Sequence, residues 1–335
     1  MSTTPIVYLH TDAGAPQLSG LAGSLTALLD AILVNGYGVG AAAKPPAGWS
    51  LEFTALNKRA YRNDPVIGSG TYLSVDDSDT VSGGNARAAY VRAFEQMSSI
   101  GVGINGAPTV ARMANGDTWA KSRLLTGVSR PWMAIATLKW LYLFMDNAGA
   151  GLDLAAAYFA GDIDSDVQGD SYGFVIANGI LGAPYSGTSG ETAKLFYSRG
   201  RSANAVADGT GGYILRGVGG GPGAVPVVLT LPSTAPTTST VSAFGREGGV
   251  YPSPVSGGLF LEEVYVREGA YLHRGRMPNC YCPQHPLAFA DMEVIPSLSG
   301  LGGANVIAKQ FTGTGTGVAG PSTGQLLFDI TTSVA

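Results

Sequence analysis

Apolar and polar residues alternate in short runs along most of this chain, and Gly, Pro, Ser and Asn punctuate the runs. A period of two bounded by turn residues predicts β-strands. Ten short segments bounded by this punctuation read as strands: Ile6–His10, Trp49–Thr54, Thr71–Val75, Ala86–Met97, Trp132–Met145, Tyr172–Ala177, Val225–Leu231, Leu259–Arg267, Asn305–Phe311 and Gln325–Thr331. In Leu259–Arg267 the alternation sends Glu262 and Glu263 to opposite faces. Ala86–Met97 is also rich in helix formers, so its pattern alone leaves helix open. One stretch has a different period. Leu21, Leu25, Leu28, Leu29, Ile32 and Leu33 recur at helical spacing, with Ser19 placed as a cap and Asn35-Gly36 as a stop. A core-anchoring helix and a partner-docking helix share that pattern. The fold class expected is mainly β, sandwich- or jelly-roll-like with Gly-rich loops, plus one N-terminal amphipathic helix.

The segment Gly209–Pro226, with Gly219-Gly220-Gly221-Pro222-Gly223 at its centre, is the loosest part of the pattern. It predicts a division into 1–208, a linker 209–226, and 227–335, or one continuous β domain around an internal loop. A second open loop is Thr312–Thr323. No repeat period is present, so a propeller or parallel β-helix is not expected.

Composition changes the picture in one respect. The chain has 335 residues, of which 49 are Gly, and only 13 % carry charge, against about 25 % in a typical soluble domain. A chain with so little charge has less surface to solvate, which points to a surface covered by other subunits. The net charge of −4, with no Lys/Arg run, gives no footprint for nucleic acid. The longest apolar stretches are interrupted by Asp30 and Lys139, so no membrane span is expected. Met1–His10 lacks the basic and apolar regions of a signal peptide. Cys280 and Cys282 are one residue apart, too awkward a spacing for a mutual disulfide, and no disulfide framework exists.

Candidate chemistry is sparse. Gly101–Gly106 and Gly315–Gly320 both match G-x-G-x-x-G, but neither lies in the strand-to-helix context of a dinucleotide site. Asp162, Asp164, Asp166, Gly169 and Asp170 are the densest carboxylates, the hard oxygen donors that Ca²⁺ needs. Val167 and Gly173 stand where an EF-hand requires Gly and Glu, so an acidic surface turn is the expectation. Cys280, Cys282 and His285, with His273 upstream, gather soft ligands at a spacing unlike ordinary zinc sites. Buried small hydrophobes are the expectation for the cysteines. His10, His273 and His285 sit in no nucleophile–base motif, and no paired carboxylates mark a glycosidase. Trp49, Trp119, Trp132 and Trp140 could stack on sugars, or simply fill a core. No enzyme signature results, and no catalytic, cofactor or metal residue is expected.

Several stretches resemble the virion structural proteins of tailed bacteriophages. The fullest is the run from Gly14 through Pro16, Leu18, Gly20-Leu-Ala-Gly23-Ser-Leu25 and Leu29-Asp-Ala31 to Gly36. Others are Ala47–Phe53 with Lys58–Arg62, Arg130-Pro-Trp132 with Tyr142-Leu-Phe144, and Gly161-Asp162-Ile163 with Gly169-Asp170-Ser-Tyr172. Near the end come Arg274-Gly-Arg276-Met-Pro278 with Tyr281, Pro283 and His285, then Gly324–Ile330. Their order along nearly the full length carries the resemblance, while Asn279-Cys280-Tyr-Cys282 departs from the family's Gly and apolar residues. The resemblance implies a structural subunit of the virion, in tail, baseplate or neck, assembled in the host cytoplasm. Its partners would be copies of itself and other virion proteins. A head decoration protein and a receptor- or glycan-binding tail module are the alternatives it leaves, with a host-surface glycan as further partner. It implies no cofactor.

Overall fold

The computed structural model describes residues 3–78, 87–147, 149, 151–152, 155–178, 212–221, 223–230, 258–268, 272–283, 289–313 and 322–333. The fold is mainly β. Strand β1 (Ile6–Leu9) comes first, followed by the helical segment. A five-stranded antiparallel sheet is then built from β2 (Ser50–Ala55), β3 (Lys58–Arg62), β4 (Tyr72–Asp76), β5 (Arg87–Phe94) and β8 (Asp117–Ser122). Between its last two strands stands a separate hairpin, β6 (Gln96–Ser99) and β7 (Val102–Ile104). The remaining strands are β9 (Trp132–Ala136), β10 (Trp140–Met145), β11 (Ala156–Asp162), β12 (Asp164–Ser165), β13 (Phe174–Asn178), β14 (Gly212–Ile214) and β15 (Val225–Thr230). They continue through β16 (Leu261–Glu268), β17 (Leu272–Pro283), β18 (Val294–Leu298), β19 (Ala304–Gly313) and β20 (Ser322–Asp329). With β1 they make one 13-stranded sheet.

Strands β9 to β11 are buried throughout, because the large sheet is covered on both faces. Alternate residues serve alternate cores. Trp132, Ala134, Ala136, Leu141, Leu143 and Met145 face the core shared with the five-stranded sheet and the helix. Met133, Ile135, Trp140, Tyr142 and Phe144 face a second core. That second core is enclosed by the large sheet itself. Neighbouring strands run β11–β13–β14–β15–β16–β17, and β12, separated from β11 only by Ile163, pairs with β17. Joined to β11 by the chain itself at Ile163, the paired strands close a ring around Phe159, Ile163, Val175, Val227, Val264, Val266 and Met277. At the seam Gly275 lies opposite Ser165, and a Cβ there would stand 2.3 Å from the Asp164 carbonyl oxygen. Only glycine lets the two backbones approach that closely.

The structure redraws several sequence expectations. The helix begins at Ser24, not beside Ser19: an α-helix covers Ser24–Leu29 and a π-helical turn covers Asp30–Asn35, ending at Gly36. The reason is tertiary. Gly20 is pressed against the 122–130 loop, where a Cβ would lie 1.7 Å from the Leu124 carbonyl oxygen, and its N–H donates to Thr126 at 3.0 Å. Leu21 is thereby turned out of the helix and left 52 % exposed. Trp132–Met145 is a hairpin rather than one strand, its turn held by the Lys139 N–H on Thr137 Oγ1 at 3.1 Å. Of Ala86–Met97, the described residues 87–97 are strand, broken at Glu95 where β5 gives way to β6. Within 209–226 the described residues include β14 and the start of β15, both strands of the large sheet.

Candidate functional site

The aspartates of 162–170 lie where β11 ends and the ring closes; Asp164 is part of β12, and Asp162, Asp166 and Asp170 face different partners. Asp162, buried, accepts the Ser69 N–H at 2.8 Å and Asn63 Nδ2 at 2.9 Å. Burial raises its carboxyl pKa and these bonds oppose the rise. Asp166 meets His273 Nδ1 at 3.1 Å and Arg276 at 3.5 Å. Asp170 accepts Arg274 twice, Nε at 2.7 Å and Nη2 at 2.8 Å, with Ser165 Oγ at 2.6 Å and the Tyr172 N–H at 3.0 Å. The third arm of the Arg274 guanidinium meets Glu268, whose other oxygen accepts the Val218 N–H at 2.9 Å. Arg274 is thus buried between two carboxylates with its donors engaged. Burial alone would push the Asp170 carboxyl up; the hydrogen bonds from Arg274 and Ser165 outweigh it and hold the group below its ordinary value. Next to this network Arg216 forks onto Glu95, with Nε–Oε1 at 2.5 Å and Nη2–Oε2 at 2.7 Å, and lies 4.2 Å above the Tyr172 ring. Sequence spacing located the acidic loop but had no means of pairing it with arginines about 100 residues away.

The thiols are kept from chemistry by burial. Cys280 and Cys282 are free and lie in the ring-enclosed core. Burial pushes the Cys280 thiol well above its ordinary value and Cys282 up to about 12, so neither forms thiolate near neutrality. His273 sits near the start of the same strand, engaged with Asp166, and is not brought to the cysteines. His285 lies outside the described residues. Among the described residues no three His, Cys, Asp or Glu side chains converge as a metal site.

All four tryptophans are interior. Trp49 and Trp119 are 3 % and 0 % exposed, so neither ring is offered to a sugar. Trp49 Nε1 donates to the Thr137 carbonyl at 2.8 Å and Trp132 Nε1 to Pro16 at 3.0 Å. Gly101–Gly106 forms the β6–β7 hairpin turn and strand β7, not a strand-to-helix phosphate loop. Gly315–Gly320 lies outside the described residues.

What the surface does offer is an apolar patch. Leu21, Leu124, Leu125 and Val128 are each about half exposed, and Leu21 Cδ1 lies against Gly127. Its base is rigid. Lys121 Nζ donates to the Leu21 carbonyl at 2.5 Å and to Ser24 Oγ at 3.2 Å, and forms an ion pair with Asp77. Asp77 in turn accepts the Leu25 N–H at 2.8 Å. No protein-family model and no curated protein matches this sequence.

Proposed function

We propose that this chain is a structural subunit of a tailed-phage virion, in the tail, baseplate or neck, that associates with copies of itself and with neighbouring virion proteins through apolar contacts. The observation that carries the reading is the patch of Leu21, Leu124, Leu125 and Val128 on a backbone anchored by a buried ion pair. Large aliphatic side chains held rigidly at a surface lose little entropy on association, which favours an interface over a solvated loop. Two further facts support it: charge on only 13 % of residues, and the ordered motifs from Gly14 to Ile330 that resemble virion proteins.

Sedimentation of the purified chain tests the association. A concentration-dependent oligomer that Leu125→Glu converts to monomer supports the reading, and a stable monomer across the micromolar range overturns it. Peptides of this chain in gradient-purified phage particles test the virion assignment directly.

A further inference from the structure

The outward face of the five-stranded sheet carries a groove of about 290 Å³ that the self-association reading does not use. Strand register places its floor. Asp76 pairs with Tyr90, Ser74 with Arg92, and Tyr72 with Phe94, so these six side chains share one face of β4 and β5. The opposite face, with Leu73, Val75, Val91 and Ala93, is buried in the core. Asn115, on the loop before β8, stands at the groove's wall.

The charges here are unbalanced. On β3, β4 and β5 the outward face carries Lys58, Arg62 and Arg92 against one carboxylate, Asp76, in a chain whose net charge is −4. Lys58 occupies Asp76 at 2.6 Å. Arg59, Arg216, Arg274 and Arg276 each meet a carboxylate. Among the described residues Arg92 meets none: its Nη2 donates to the Met113 and Ala114 carbonyls, and its buried Nε has no hydrogen-bond partner there. The backbone of 113–114 therefore holds a half-buried guanidinium at the groove without neutralising it. Aromatic rings flank it, Tyr90 on one side along β5 and Phe94 on the other.

We infer that this groove binds an acidic saccharide, a pyranose bearing one carboxylate. The Arg92 guanidinium takes the carboxylate, Ser74 and Asn115 exchange hydrogen bonds with ring hydroxyls, and the partly exposed Tyr90 covers the apolar face of the ring, while Phe94 is buried behind it. With Asp76 held by Lys58, Arg92 is, among the described residues, the one cation of the groove left to answer a ligand charge, which favours a single carboxylate over a polyphosphate or nucleic acid strand. The inference is independent of the apolar patch and of self-association.

Saturation-transfer NMR and calorimetric titration of the full chain with glucuronic acid and N-acetylneuraminic acid test it, with glucose and inorganic phosphate as controls. The expected result is binding of at least one acid with glucose weaker by about tenfold or more, as the loss of a charged hydrogen bond implies. Arg92→Gln should abolish the preference for the acid. Because Arg92 also braces the 113–114 loop, a second variant is needed. Asn115→Ala, an exposed position with no hydrogen bond in the described structure, should weaken binding several-fold while leaving the melting temperature unchanged. Equal binding of acid and glucose, preference for phosphate, binding of none of them, or affinity unmoved in both variants would each overturn the inference.

Discussion

Tyr158 on β11 stacks on Trp119 of β8, ring centroids 5.1 Å apart, and its hydroxyl serves both polar groups of one residue on the facing strand. It accepts the Ala120 N–H at 2.8 Å and donates to the Ala120 carbonyl at 3.1 Å. β8 is an edge strand of the five-stranded sheet, so one phenol both packs the two sheets together and satisfies backbone that has no further strand beside it. Tyr158→Phe keeps the ring and strands that N–H and carbonyl, which should cost about 1–3 kcal/mol. Tyr158→Ala should cost about 3–5 kcal/mol by adding a cavity. Denaturant midpoints of the two variants check the order; equal losses would mean the hydroxyl contributes nothing.

The Lys121–Asp77 pair should behave as a buried ion pair does when half of it is removed. Both side chains are 1 % exposed, and between them they hold Leu21, Ser24 and Leu25 at the start of the helix. Lys121→Met leaves an unpaired buried carboxylate and should destabilise by about 3–5 kcal/mol. Removing both charges together should cost less than the sum of the two single changes. A double-mutant cycle in urea measures that difference, and strict additivity would contradict the pairing.

Acid should weaken the end of the ring where Arg274 meets Asp170. The folded carboxyl lies below its ordinary value of 3.8, so as pH falls the unfolded chain takes up this proton first. The stability it contributes is complete above the unfolded value, roughly pH 4, and is lost as pH drops through the folded value. Asp170→Asn should therefore be less stable than the parent at neutral pH and lose less on acidification. Melting temperatures recorded from neutral pH to pH 3 check the slope.

Thiol reagents should find nothing in the native protein. Both cysteines are buried and their thiols are pushed to high pKa. A chromogenic disulfide at pH 8 should leave them unlabelled until guanidinium is added, when both react. Prompt labelling of the native protein would place at least one thiol at the surface.

The alternation of side chains determined the class of the fold, because burial on one or both faces of a sheet leaves a local signature. Ile6–Leu9, Ser50–Ala55 and Tyr72–Asp76 emerge within a residue or two of their expected ends. Trp132–Ala136 and Trp140–Met145 carry almost no polar residues for the same reason, since these two strands face two cores. Tertiary structure decided what depends on contacts between distant residues. β8 escaped the pattern because Asp117, Lys121 and Ser122 are buried in it, and the partner that makes Lys121 tolerable there is 44 residues away. β17 escaped because its charges answer Asp166, Asp170, Glu263 and Glu268 on other strands and loops. The helix start was set by Gly20 meeting Leu124, and the groove by a register that lines up Asp76 with Tyr90 and Ser74 with Arg92. Local periodicity reports which way a side chain points; only the closed sheet fixes what it meets there.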